Sequence, residues 1–215
     1  MNIHENILVG RPYGGVSIMW NKSLSPYCNV ILYEDNRLLG LSLTVNSLNY
    51  LFLNVYLPYF SNDNINDYDM YMGKIASIVE NTDASGVVIL GDFNARPSNP
   101  FYEELQVLCE AKDLIISDVV RLPERTFTHM NSGTLCNSWL DHCICSQYIH
   151  DKIVDIQIDE NYYGSDHLPM YVSFNLECSH DSLGQSDIQE KIKWNFKDNN
   201  LSLIFLCSTL AEIAF

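Results

Sequence analysis

The chain has 215 residues and carries 27 Asp and Glu against 12 Lys and Arg, a formal net charge of −15 at pH 7. With 47% hydrophobic and 18% charged residues it is globular in composition, and intrinsic disorder is excluded. The acidic excess argues against a broad basic footprint on nucleic acid, but it is compatible with a local cationic groove or an acidic cluster neutralised by a divalent metal.

The N-terminal "MNIHENILVG" has no basic segment followed by an apolar run, so no signal peptide is expected and the location is expected to be intracellular, nuclear or cytoplasmic. From there, strand-like runs come first, at 14–20, 29–34, 38–45 and 50–56, rich in β-branched, Leu and aromatic residues. A helix is predicted from Ile65 to Glu80, because Ile65, Tyr68, Met72, Ile75 and Val79 recur at three- and four-residue spacing. Val87 to Leu90 read as a short buried strand that runs out at Gly91, Asp92, Phe93 and Asn94. Asn99 then reads as an N-cap with Pro100 in the first helical position, and Phe101, Leu105 and Leu108 as the buried stripe of that second helix. Further strands are expected at 139–146, 153–158 and 170–176.

The pattern predicts one domain over 1–178, a layered α/β protein with mixed or antiparallel sheets, followed by an extension over 179–215. The extension opens on polar residues and ends in "LSLIFLCSTLAEIAF", which is short for a membrane span and contains Glu212; a docking helix and an irregular end both remain open. The seven cysteines contain no Cys-x-x-Cys pair, which argues for a reducing compartment. His129, Cys136, His142, Cys143 and Cys145 do not have zinc-site spacing, and Cys143 and Cys145 fit a strand core better.

Polar residues stand in three unexpected places. Asp92 and Asn94 end a core strand, where an Asx turn is the plain alternative. Asp141 lies inside the apolar run "SWLDHCICS", where a carboxylate is costly unless partnered. Asp166 and His167 stand in "GSDHLPM", immediately before a strand. Converging at one rim of a sheet, this set suits phosphate-ester hydrolysis: a carboxylate can orient and charge a His, and Asp and Asn oxygens suit Mg²⁺ and an attacking water. No Ser or Cys lies in a G-x-S-x-G context, which argues against acyl transfer.

"GDFN", then "LDH", then "SDH" resembles the endonuclease/exonuclease/phosphatase superfamily. "GRPYGGVSIMW" (10–20), "NVYLPY" (54–59) and "TFTH" (126–129) are similar to the endonuclease domains of non-LTR retrotransposons, and "KIKWNF" to the stretch that follows them. The resemblance implies a four-layer α/β sandwich of two mainly antiparallel sheets flanked by helices, and Mg²⁺-dependent (or Mn²⁺-dependent) phosphodiester or phosphomonoester hydrolysis. By the same resemblance, Asp92 activates the attacking water, Asn94 and His167 contact the phosphate, and Asp141 is the partner of His167. Asp166 and Asp92 lie at the metal, Tyr56 approaches the phosphate, and Asn54 and Trp139 contact substrate, with packing the slightly favoured alternative for Trp139. DNA is the implied substrate, no membrane is involved, a reverse transcriptase is fused or associated in the complete element, and the protein is expected to be a monomer.

The chain reaches "GRPYGG" after nine residues, and Glu5 in "IHENI" is unlike the family's metal-binding Glu strand. The expectation is therefore a domain that lacks its first strands. Two other readings stay open beside the endonuclease: an inactive remnant or interaction module, and a phosphatase or phosphodiesterase for a lipid or nucleotide phosphate.

Overall fold

A computed structural model describes residues 15–131, 136–162 and 164–176 and the short strand 202–205. The expectations for Glu5, for the start of "GRPYGG" and for "KIKWNF" fall outside these residues. The main sheet begins with β1 (Cys28–Leu32), β2 (Leu38–Val45) and β3 (Leu48–Tyr56). β2 and β3 form an antiparallel hairpin whose turn, Asn46 and Ser47, has φ of 52° and 65°, the left-handed pair that suits the twist of a tight hairpin.

Helix α1 (Ile65–Glu80) then carries the chain over the sheet to β4 (Gly86–Asp92), which pairs parallel with β3. A parallel pair requires such a crossover. Tyr68, Tyr71, Met72 and Ile75 form its buried face, whereas Ile65 is exposed at its first turn. Helix α2 (Pro100–Ala111) starts as its sequence predicts: the Asn99 side chain accepts a hydrogen bond from the Tyr102 amide at 2.9 Å, and Phe101, Leu105 and Leu108 are buried.

The chain continues through β5 (Leu114–Ile116), α3 (Ser117–Arg121), β6 (His129–Asn131), β7 (Cys136–Ser138), β8 (Asp141–Ser146) and α4 (Gln147–His150). The main sheet has the order β1-β2-β3-β4-β8-β5, and every neighbouring pair except β3 with β4 is antiparallel. A smaller, wholly antiparallel sheet contains β9 (Ile153–Ile158) and β10 (Met170–Phe174), with β11 (Ser202–Phe205) alongside β10.

Alternation along the strands divides the core in two. Leu51, Leu53, Val55, Val87, Ile89 and Ile144 pack with α1 and α2, while Phe52, Val88, Leu90, Cys143 and Cys145 pack with Ile156, Met170, Val172 and Phe174 of the smaller sheet. The main sheet is thus covered on both faces, by helices on one side and by a second sheet on the other, as the near-continuous apolar runs require. Cys143 and Cys145 are buried free thiols.

One expectation is corrected. Residues 15–20 alternate between exposed and half-buried, but among the described residues they form no ladder; the Asn54 side chain holds them by donating to the Ser17 carbonyl at 2.8 Å. Period-two alternation marks an extended segment, and a strand also needs a neighbour with free backbone groups. Near the C-terminal end, residues 202–205 pair as a strand with β10, and the rest of that tail lies outside the described residues. Among the described residues no helix is long and apolar enough to cross a membrane.

Gly91 has φ of +145°, and a Cβ there would collide with the Val55 backbone. Gly91→Ala should cost roughly 3 kcal/mol or more, read by chemical denaturation, because neither backbone can yield. Asn99→Ala should cost about 1 kcal/mol, the ordinary value of an N-cap; equal losses for the two would contradict the backbone argument.

Candidate active site

Three strand ends meet at one rim of the main sheet. β3 and β4 run parallel, so Tyr56 and Asp92 end side by side. β8 runs antiparallel to β4 and begins at the same rim, with Asp141 directly opposite Asp92. Side-chain alternation then selects the face: Asp92 continues the row of Val88 and Leu90, Asp141 that of Cys143 and Cys145, and Asn54 and Tyr56 that of Tyr50 and Phe52. All four lie toward the smaller sheet.

That sheet supplies His167, in the turn that leads into β10. Its imidazole Nδ1 lies 2.9 Å and 3.2 Å from the two Asp141 oxygens, and its Nε2 lies 3.9 Å from Asp92 Oδ2. The backbone on both sides of His167 is fastened to Thr128–Met130: the Leu168 amide donates to Thr128 O at 2.7 Å, and the Met130 amide to Asp166 O at 2.8 Å. The Thr128 hydroxyl, fully buried, accepts from the amides of Leu140 and Asp141, both at 3.0 Å. Thr128 therefore fixes both halves of the Asp141–His167 pair. It lies in "TFTH", a motif that identifies the family without indicating this duty.

Asp92 is held from its own loop. The Asn94 amide donates to Asp92 Oδ1 at 2.9 Å, and its side-chain nitrogen donates to Asp92 Oδ2 at 3.1 Å and to the Leu57 carbonyl at 2.9 Å. Asn94 has φ of 50°, the left-handed conformation that Asn tolerates better than most residues. The Asx turn and the functional reading of "GDFN" thus describe the same atoms.

The electrostatics follow from burial. Asp92 and Asp141 are 5% and 1% exposed, and two carboxylates face one another across the β4–β8 ladder. Burial, and after it the Asp141 charge, push the Asp92 carboxyl up to about 7, while His167 and the Asn94 amide pull it back. Burial also opposes charge on His167, but Asp141 first, then Asp92 and Asp166, outweigh it and raise the imidazole to about 9. His129 stacks edge-on to His167 with ring centroids 4.9 Å apart; burial and the neighbouring imidazolium lower its pKa.

The remaining predicted residues lie around this centre. Asp166 faces the His129 side, with Oδ2 3.9 Å from His129 Nε2, and accepts from the Ser165 hydroxyl. Tyr56 is half-buried with the Arg37 guanidinium 4.9 Å over its ring. Asn54 is occupied with Ser17. Trp139 is only 5% exposed, and its indole N–H donates to Asp118, so it has a packing place inside the fold and no open face at the rim. Ligand atoms of Asp92, Asp141 and His167 lie within 4.8 Å of one another. Two buried, mutually repelling carboxylates are hard oxygen donors, and that chemistry fits a divalent cation.

Residues 50–171, more than half of the chain, match a family described as endonuclease-reverse transcriptase, within the endonuclease/exonuclease/phosphatase superfamily. The chain belongs to this family. Solved structures share the fold. The endonuclease domain of TRAS1, a telomere-specific non-LTR retrotransposon, is 18% identical with a TM-score of 0.56, over 70% of each chain. The 3′-5′ exonuclease NExo from Neisseria meningitidis is 19% identical with a TM-score of 0.57, over 69% of this chain and 71% of that one. A structure of the Neisseria 3′ phosphatase NExo bound to product DNA hairpin is 19% identical with a TM-score of 0.52, over 67% and 66%. No curated protein sequence matches significantly. Members of the endonuclease/exonuclease/phosphatase family are hydrolases, typically dependent on a divalent metal.

In the metal-free protein the His167 ring should titrate near 9 by NMR, against an ordinary value of 6.5. Because the folded value lies above the ordinary one, the stability from this pairing is fully present below pH 6.5 and is lost as pH rises through about 9. Asp141→Asn should bring the His167 titration back toward 6.5 and flatten that alkaline loss; an unmoved titration would contradict the pairing.

Proposed function

We propose that the chain is a metal-dependent phosphodiester hydrolase that nicks DNA, an endonuclease of the non-LTR retrotransposon type that works with a fused or associated reverse transcriptase. The reading is carried by the line Asp141–His167–Asp92 at converging strand ends, in a chain of the endonuclease-reverse transcriptase family. A carboxylate titrating near neutrality is matched to accepting a proton from water, and Asp92 has that property. His167 is held at Nδ1 by Asp141 and turns Nε2 toward Asp92, so a phosphate oxygen bound beside Asp92 would meet a charged donor.

Asn94 orients Asp92, and it reaches the phosphate by exchanging its bond to Asp92 Oδ2 for one to the substrate. Arg37 over Tyr56 gives this rim a cation in a protein of net charge −15, and Asn54 keeps residues 15–20 along its border. Mg²⁺ or Mn²⁺ would be held by Asp92, with Asp166, which faces His129, as the second carboxylate we assign to it, and when bound it would neutralise charge on the phosphate.

The acidic balance favours one second reading, a phosphatase for a small lipid or nucleotide phosphate, which needs no extended basic track. Relaxation of supercoiled plasmid with Mg²⁺, beside release of phosphate from inositol phosphates and nucleotides, separates the two. Asp92→Ala and His167→Ala should each lower turnover by about a hundredfold or more in protein still folded by circular dichroism, with a lowered unfolding temperature for His167→Ala because Asp141 loses its buried partner; turnover retained in either variant would show the site to be misassigned.

A further inference from the structure

A second carboxylate–imidazole pair lies behind the first, on the opposite face of β8. Asp141 and His142 are consecutive, so their side chains leave the strand on opposite sides. Asp141 meets His167 between the sheets, and His142 enters the helix-side core, where it is fully buried. There His142 Nδ1 lies 2.8 Å from Asp118 Oδ2, and Nε2 lies 2.8 Å from the Ala95 carbonyl. A carboxylate and a carbonyl can only accept, so both ring nitrogens donate and the ring is an imidazolium. Rings of Phe93, Tyr102 and Trp139 surround it with centroids 5.8 to 6.2 Å away.

Asp118, on α3, is also fully buried and takes three donors: the Trp139 indole at 2.8 Å, His142, and the Cys143 amide at 2.9 Å. A buried ion pair by itself is weak evidence for stability, since apolar packing serves as well. What this pair reaches is more specific. Ala95 is the residue after Asn94, whose left-handed backbone delivers both bonds that hold Asp92.

We propose that Asp118 and His142 are positioning residues: the imidazolium clamps the Ala95 carbonyl and so fixes the Asp92–Asn94 loop in its working geometry from behind the sheet. The proposal rests on the hydrolase reading only for its kinetic consequence. A position held within a few tenths of an ångström matters for catalysis far more than for folding.

Two substitutions divide the clamp. In His142→Gln the side-chain amide nitrogen takes the place of Nε2 and still reaches Ala95 O; in His142→Asn it takes the place of Nδ1 and reaches only Asp118. Amide hydrogen exchange by NMR on the full chain should show the Asn94 amide exchanging about tenfold faster in His142→Asn, with Ile89 and Ile144 unchanged. His142→Gln should restore Asn94 protection. In plasmid nicking, His142→Asn should lower kcat about tenfold at constant KM, and Gln should recover most of it.

Equal behaviour of the two variants, or loss of protection shared by Ile89 and Ile144, would overturn the proposal and leave the pair as a fold fastener. Should His142→Asn not fold, imidazole ¹⁵N NMR of the unmodified chain carries the test: a slowly exchanging Nε2 proton on His142 is expected, and an Nε2 without one overturns the idea. A wild-type chain that does not nick but shows the exchange contrast removes the hydrolase reading and keeps the clamp; nicking without the contrast does the reverse.

Discussion

The site depends on one pairing, the antiparallel register of β4 against β8 that sets Asp92 opposite Asp141. Like charges directly across a ladder repel, and here both carboxylates are also removed from water. Left alone, the pair would protonate or open the strand end. His167 enters from the other sheet and gives the two acids a shared cation, which is why the two sheets must close on each other for the site to exist. The same closure explains why apolar residues dominate the interior up to the last residue before each acid. The packing of Leu90 and Cys143 holds two groups together that electrostatics would drive apart.

The polar rim is correspondingly over-determined. Thr128 accepts two backbone amides at the start of β8 and fastens the His167 turn through its own carbonyl. Asn94 spends its side chain on Asp92 and on Leu57, at the end of the neighbouring strand. Apart from the local Asn94–Asp92 bond, these contacts are short-range in space and distant in sequence. The site is assembled from elements whose positions are settled by the core, and it adds little to that core in return.

Much of the architecture was legible in the residues. β2, α1 and β9 occupy the expected spans because each carries a full period of apolar residues, long enough to declare itself. β5, β6 and β7 have three residues each, too few for any periodicity, and they form because neighbours offer backbone partners. The segment 15–20 shows the converse, a correct alternation with no ladder among the described residues. At the site, Asp141 stood out as a charge in an apolar strand. His142 meets the same criterion one position later, where the neighbouring cysteines point first to a metal reading. Its partner Asp118 follows the apolar run of β5 and could have been found by the same reasoning. The engagement of Asn94 with Leu57, 37 positions away, could not, because it arises from the parallel neighbourhood of β3 and β4.

The alternation of Asp141 and His142 across β8 has a consequence for how the strand finds its place. A slip of β8 by one residue against β4 would exchange the two faces: His142 would turn toward His167, and the Asp141 carboxylate would enter the ring of aromatics beside Asp118. Cation would then face cation between the sheets, and anion would face anion behind them. An apolar strand such as Cys143–Cys145 tolerates such a shift in hydrophobicity alone, since both faces of this sheet are buried. The two oppositely ordered charge pairs therefore act as a two-sided key, and only one register of β8 satisfies both.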